Sequence, residues 1–439
     1  MSELDSRLAA LYVLKRYRKQ SSWSKDSLRI AQDNYKLDTR DTALADRISR
    51  CVLEHYQLLD YYISFFSDIP LNEIQEDVLD VLRIGLCQKL YFDRIPDSAI
   101  VDTSVSCCRK IGHSRACGFV NAILRKFINH ADSLPELSKD DPIKYYAIRY
   151  GHSEWIVKTL IDSYGVEHTL SFLESNNREE PRYIYVNRLK ISEEDYLDLL
   201  DANNISYEIY HDLGNAIQLT SQGRMEDVPG YSEGLFYVQD PAAHQVARIS
   251  GIASGMTMYD CCGAPGGKSI ACAIEMNNDG SILLSDIHNN KLKRVKDNAD
   301  RLGISILSMV AKDAREPIDQ YFDVVVADVP CSGLGVIRNK PEIRYKDQAS
   351  VSRLPEIQFD IIDNVGKNVK DGGTLIYSTC TVLPAENEKV IDRFLSTHNE
   401  YVLDPFVCFG EEFNGMATFW PQIHHTDGFF ICKLKKIKK

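Results

Sequence analysis

The sequence predicts a multidomain chain: an all-α N-terminal domain, a small α/β lobe, and an α/β domain built on a mostly parallel sheet. Three observations predict it. Apolar residues recur at helical spacing through the first 130 or so positions, strand-like runs frame a helix between 181 and 220, and from about Leu235 short apolar runs alternate with helical stretches. At 439 residues the chain exceeds one ordinary core and suggests two or three domains. The boundaries read from these shifts are 1–140, 141–234 and 235–439.

In the first part Leu4, Leu8, Leu11 and Tyr12 share one helical face. So do Ala45, Ile48, Val52, Tyr56 and Leu59, then Val78, Leu82, Leu86 and Leu90, then Phe119, Ile123 and Phe127. Loop signals fall at Ser67 to Pro70, Ile95-Pro96-Asp97 and Lys110 to Ser114, and Pro135 and Pro142 among Ser138, Asp140 and Asp141 mark a linker. The lobe follows, with the preceding helix Trp155 to Tyr164 as a candidate member. Tyr183 to Asn187 reads as a strand, Ser192 before Asp195 as a helix N-cap, Asn203-Asn204 as a turn and Ile205 to Tyr210 as a second strand. The runs Met256 to Tyr259, Ile282 to Leu284, Ile306 to Val310, Phe322 to Ala327 and Thr374 to Tyr377 are the expected parallel strands, with Phe429 to Leu434 closing the chain.

Composition narrows the function classes. Apolar residues at 44% and charged ones at 26% are ordinary globular values. No apolar run is long enough to span a membrane, and Glu3, Asp5 and Arg7 interrupt the start where a signal sequence would be apolar, so a soluble cytoplasmic protein is expected. The twelve cysteines are then expected reduced, and the adjacent pairs Cys107-Cys108 and Cys261-Cys262 lack zinc-ligand spacing, so no metal is expected. A net charge of -12 argues against indiscriminate coating of nucleic acid. Residues 1–140 nonetheless hold 20 Lys+Arg against 20 Asp+Glu, a neutral balance that can present a basic face, and the Lys433 to Lys439 tail reads as a solvated end.

The turn Cys262-Gly263-Ala264-Pro265-Gly266-Gly267-Lys268-Ser269 follows an apolar run and opens a helical one, which is where an open α/β sheet holds a cofactor. A triphosphate loop would need a glycine where Cys262 stands, and Gly263 is one residue too close to the Gly267-Lys268 pair. A nucleoside cofactor without a triphosphate fits better. Asp286, 23 residues after Gly263 and just past a strand, is placed for ribose hydroxyls, and Asp313 at the next strand end for an adenine edge. With Asp328, three successive strand ends finish in aspartate around one glycine-rich turn.

Two signatures 49 residues apart, Asp328-Val329-Pro330-Cys331-Ser332-Gly333 and Tyr377-Ser378-Thr379-Cys380, each end an apolar strand with a cysteine. Two thiols beside a cofactor suggest covalent attack on a substrate to which the cofactor supplies a group.

Asp260 to Ser269, Asp328 to Tyr345 and Tyr377 to Glu388 together resemble the signatures of RNA 5-methylcytosine methyltransferases that use S-adenosylmethionine. The resemblance extends over the whole chain, and the block from Asp328 to Arg338 with Pro341-Glu342-Ile343 is most similar to the family's bacterial ribosomal branch. Gly118-Phe119-Val120-Asn121-Ala122-Ile123-Leu124-Arg125 is similar to a NusB-like RNA-binding domain. The departures are small: Gly263 stands where alanine is more frequent and Ser269 where threonine is common.

The resemblance implies an all-α NusB-like domain, an RNA-binding lobe and a Rossmann-like class I methyltransferase domain. It implies S-adenosylmethionine as cofactor, held by Cys262 to Lys268 with Asp286, Asp313 and Asp328, and small-subunit ribosomal RNA as partner of a monomer. By the same resemblance Cys380 is the nucleophile and Cys331 removes the C5 proton and releases the thiol. Asp328 contacts the base edge, and Lys268 orients the base or the aspartate. Cytosine C5 is a poor nucleophile, and a thiolate adding to C6 turns the ring into a carbanion equivalent. A lowered Cys380 pKa from nearby positive charge is expected. The target base must be unstacked, and Tyr183 and Tyr185 are candidate stacking platforms in the lobe. A binding factor without catalysis is the competing class, and the four residues Cys331, Cys380, Asp328 and Lys268 argue against it.

Overall fold

The computed structural model describes residues 3–20, 24–220 and 223–437. Lys438 and Lys439 of the expected tail lie outside the described residues. Two compact units emerge: Met1–Asn177 with Asn339–Lys346, and Arg178–Arg338 with Asp347–Lys439. Among the described residues no helix is long and apolar enough to cross a membrane.

The first unit is helical: α1 (Glu3–Gln20), α2 (Ser24–Tyr35), α3 (Thr39–Glu54), α4 (Tyr56–Phe66), α5 (Glu76–Tyr91), α6 (Asp97–Lys110), α7 (Cys117–Asn129), α8 (Pro142–Tyr150), α9 (Glu154–Tyr164) and α10 (Val166–Ser175). The stripes read from the sequence meet in one core, where Ile48, Val52, Leu59, Leu82, Leu86 and Phe127 are buried together. Helix α5 is buried from Val78 to Gln88 and forms the axis of the bundle. Its Arg83 is tolerated inside because every arm has an acceptor: Nε and Nη2 donate to Asp60 at 2.7 and 2.9 Å, and Nη1 to Asp80 at 2.8 Å. The proline-marked linker runs into α8, which Asp141 caps by accepting from the Lys144 N–H and which Gly151 ends at φ 69°.

Segment 339–346 completes this unit although it lies between two strands of the other in sequence. Arg344 is fully buried, with Nη1 donating to Tyr150 O at 3.1 Å and Nη2 to Asn176 O at 2.7 Å. Trp155 Nε1 donates to Lys346 O at 2.9 Å and the Tyr345 hydroxyl to Leu53 O at 2.9 Å.

The second unit opens with β1 (Arg182–Val186), α11 (Glu193–Ala202), β2 (Tyr207–Tyr210), β3 (Ala216–Leu219) and β4 (Phe236–Val238), an antiparallel sheet of order β2-β3-β1-β4. The expected Ser192 cap is present, accepting from the Asp195 N–H at 3.1 Å. The tyrosine expectation is corrected. Tyr183 and Tyr185 are 3% exposed, because one face of β1 packs through Ile184 on α11 while the other packs into the core of the large sheet. Their hydroxyls donate to His425 O and Leu213 O, both at 2.9 Å, and Tyr185 stacks on His244 with ring centroids 3.7 Å apart. Neither ring is free to stack on a base.

The chain continues through α12 (Pro241–Ile249), β5 (Thr257–Asp260), α13 (Gly267–Glu275), β6 (Ser281–Asp286), α14 (Asn289–Leu302), β7 (Leu307–Ala311), β8 (Phe322–Asp328), α15 (Gln348–Val351), α16 (Leu354–Gly366) and β9 (Val369–Thr379). It ends with α17 (Glu388–Thr397), β10 (Tyr401–Leu403), β11 (Phe406–Cys408), β12 (Glu411–Phe413), β13 (Met416–Phe419), α18 (Pro421–His424) and β14 (Phe429–Lys436). The large sheet has the order β10-β14-β9-β8-β5-β6-β7, with β13 also on β14. Strands β5 to β9 are parallel to their neighbours, and β14 returns antiparallel beside β9. The order reverses between β5 and β8, the switch point where such sheets bind ligands.

Candidate active site

The glycine-rich turn leaves β5 and enters α13 at that switch point. Gly263 donates its N–H to Ser285 O at 2.9 Å, and a Cβ there would meet Leu284 and Asp260 at 2.6 and 2.7 Å. Gly266 caps α13 at φ 98°, where a side chain would be strained and would strike Val295. The helix N-terminus thus carries no side-chain cap, leaving its first N–H groups for a ligand. Asp286 ends β6 and is 6% exposed, with Oδ1 accepting from the His288 N–H at 2.8 Å. These features fit a nucleoside cofactor carrying a carboxylate. Asp313 lies past the end of β7, held by Arg315, whose Nη2 stands 2.6 Å from its Oδ2.

Beyond the ends of β8 and β9 the remaining residues converge. The Lys268 ammonium lies 2.7 Å from Asp328 Oδ2 and 5.1 Å from the centroid of the Phe429 ring. Burial pulls this ammonium's pKa down, but Asp328 outweighs it and the net shift is upward, so Lys268 stays charged. The Ser378 hydroxyl donates to Asp328 Oδ1 at 2.8 Å, so both carboxylate oxygens are fixed.

The two cysteines meet here, with Cys331 Sγ and Cys380 Sγ 3.3 Å apart as reduced, half-buried thiols. The hydrogen bond with Cys380, then burial, pushes the Cys331 thiol well above its ordinary range. Cys380 O accepts from the Gly335 N–H at 3.0 Å, tying the two turns together.

Sequence reasoning missed the residues behind the thiols. Glu386 and Asn387 are buried in the loop after β9 and hold both cysteine turns, but two polar residues after a loop proline read as exposed. Asp260 at the end of β5 was also passed over; it is fully buried and bonded to Ser269 at 2.7 Å. Asp240 caps α12 and accepts from the Asp427 N–H at 2.7 Å, with Arg338 Nη2 3.6 Å from Asp427 Oδ1, walling the site on the β14 side.

A family model described as 16S rRNA methyltransferase RsmB/F matches residues 252–435, a NusB family model 4–129, and an RsmF/B-like ferredoxin-like domain 152–226. The chain is 32% identical to the probable ribosomal RNA small subunit methyltransferase B of Bacillus subtilis (strain 168), over 99% of this chain and all of that one. It belongs to the RsmB/F family. The ribosomal RNA small subunit methyltransferase B of Escherichia coli O7:K1 is also 32% identical, over 91% of this chain and 92% of that one. The crystal structure of PH0851 matches with a TM-score of 0.83 at 23% identity, covering 99% of each chain, and shares the fold. The RsmB/F match spans Lys268, Asp286, Asp328, Cys331, Cys380 and Glu386.

Proposed function

We propose that this RsmB/F protein transfers a methyl group from S-adenosylmethionine to C5 of a cytosine in small-subunit (16S) ribosomal RNA through a covalent adduct between Cys380 and cytosine C6. The observation that carries the reading is the thiol pair, 3.3 Å apart, beside the Lys268–Asp328 ion pair. A binding factor has no use for such a group. Residues 1–140 and 141–234 then serve to hold the RNA, and 235–439 carries the chemistry.

The turn from Cys262 to Lys268 would hold the cofactor's carboxylate and backbone, Asp286 its ribose and Asp313 its adenine edge. Bound S-adenosylmethionine supplies an electrophilic methyl group on its sulfonium, which C5 takes once it has become nucleophilic. Cys380 makes it so. Its thiolate forms the S–C6 bond, and the C5=C6 electron pair moves toward C5. Lys268 stands near enough to Cys380 to favour that thiolate. Asp328, oriented by Lys268 and Ser378, hydrogen-bonds the base edge. After methylation Cys331, having given its own proton to solvent, takes the C5 proton as a thiolate. The C–H pair restores C5=C6, and the C6–S pair leaves on Cys380.

Incubating Cys331→Ala protein with S-adenosylmethionine and small-subunit ribosomal RNA transcripts should give a denaturant-resistant protein–RNA adduct on a gel. The adduct should vanish when Cys380→Ala is added, and sequencing the trapped RNA names the base. Methyl transfer to RNA by the wild type without any adduct would reverse or remove the cysteine roles.

A further inference from the structure

Cys331 and Cys380 carry identical groups, yet the proposed reaction needs the negative charge on Cys380 at the start. The surroundings of the two turns differ. Glu386 Oε2 accepts from the Ser332 N–H at 2.8 Å and from Gln358 Nε2 at 2.8 Å, and the same Gln358 nitrogen donates to Pro330 O at 3.0 Å. The residues on either side of Cys331 are thereby bracketed. Asn387 does the same for Cys380: its Oδ1 accepts from Thr379 Oγ1 at 2.7 Å and its Nδ2 donates to Thr381 O at 3.0 Å. Ser332 and Thr381, the residues following the two cysteines, share a hydroxyl–hydroxyl hydrogen bond of 2.7 Å. Two consecutive buried residues thus brace both turns, and only the one on the Cys331 side carries a carboxylate.

We infer that Glu386 is a positioning residue that decides which thiol holds the charge, clamping the Cys331 turn through Ser332 and setting a buried carboxylate beside Cys331 while Lys268 acts on Cys380. The inference rests on the covalent reading above. The groups facing Cys331 are Cys380, Glu386 and Asp328, with the Tyr377 hydroxyl donating to Glu386 O at 2.6 Å; those facing Cys380 include Lys268 and Asp427. The carboxylates of Glu386 and Asp328 both oppose ionisation of Cys331.

The same arrangement orders the two thiols in time. The first cause of the raised Cys331 pKa is its hydrogen bond with Cys380, and the charge of Cys380 adds to it. Both end when Cys380 becomes a thioether on C6. Burial, Glu386 and Asp328 still hold the proton, but with less to oppose it Cys331 can lose that proton to solvent more readily than before, and the thiolate so formed, beside Glu386, is a strong base for the C5 proton.

The test uses Glu386→Gln, which keeps an acceptor for the Ser332 N–H and removes the charge. In the full chain carrying Cys380→Ala, the pH midpoint for iodoacetamide alkylation of Cys331, read by peptide mass spectrometry, should fall by about one unit or more when Glu386→Gln is added, roughly tenfold more thiolate at a given pH. With both cysteines present, Glu386→Gln should move part of the labelling from Cys380 to Cys331. Superimposed midpoints would overturn the inference, and so would a lowered melting temperature with unmoved midpoints, the mark of a purely structural role. Adduct formation by the Cys331→Ala protein separates the two levels. An adduct with unmoved midpoints sinks the role of Glu386 alone, whereas no adduct sinks the covalent reading and this inference with it.

Discussion

Asp260 and Asp328 end neighbouring parallel strands of one sheet, yet they live in opposite environments. Asp260 is fully buried, accepts from Ser269 Oγ at 2.7 Å through Oδ2, and has no partner for Oδ1 among the described residues. Burial is the first reason that its pKa is pushed up to about 7, and the nearby Asp328 adds to it. The Asp328 side chain is 29% exposed and bonded to Lys268 and Ser378. Register explains the contrast. Asp260 pairs with Val326, so Asp328 stands two residues further out, past the rim of the sheet where a substrate can reach it. A carboxylate at a strand end is chemistry only when the register carries it beyond the core and a cation meets it there.

The largest effect should come from Asp328. Asp328→Asn keeps the shape but loses the ion pair, and methyl transfer should fall about 10²- to 10⁴-fold. Thermal melting should stay close to that of the wild type, since the side chain is partly exposed. Equal activity of Asp328→Asn and wild type under single-turnover conditions would remove the base-edge role.

The next effect sharpens the other half of the comparison. The folded protein keeps a proton on Asp260 up to about pH 7, whereas the unfolded chain releases it near the ordinary carboxylate value of about 4. Between these limits the native state binds more protons, so this group's contribution to stability falls as pH rises. Asp260→Asn cannot ionise and lacks that slope. Wild-type stability relative to the variant should drop by up to about 1.4 kcal/mol per pH unit across this window, read from urea midpoints. A pH-independent difference would place the Asp260 pKa in the ordinary range.

The sequence exposed the outward half of this site better than the buried half. Short apolar runs between helical stretches and the cysteine and glycine signatures located β5, β8, β9 and the residues beyond them, because strand ends in a parallel sheet point to one rim. Asp260 was invisible as a buried acid, since its burial depends on α13 folding back to present Ser269. Tyr183 and Tyr185 misled for a related reason: a strand of a small lobe suggests exposed aromatics, but both faces of β1 are covered, one within the lobe and one by the large sheet's core. Asn339–Lys346 follows the Cys331 motif with no sequence sign that it belongs elsewhere, and its long-range bonds, those of Arg344 among them, make it part of the helical unit. Glu386 and Asn387 fall inside the Tyr377 to Glu388 signature, but their polar side chains give no sign of burial, which depends on the long-range partners Ser332 and Gln358.

The smallest expected effect tests the link between Asp260 and the turn directly. Ser269 is fully buried and donates to Asp260. Removing its hydroxyl should cost about 1 kcal/mol where Asp260 is neutral, and more above pH 7, where a bond to an ionised group is lost. Ser269→Thr keeps the donor and adds only a methyl group, so it should preserve the pH dependence that Ser269→Ala alters. Methyl transfer should change little in either variant, because Ser269 faces the buried aspartate and not the rim. In the Asp260→Asn background the cost of Ser269→Ala should lose its pH dependence, and a double-mutant cycle at two pH values reads that coupling. If the coupling were the same at both, Ser269 would be packing against α13 and not stabilising the charged form of Asp260.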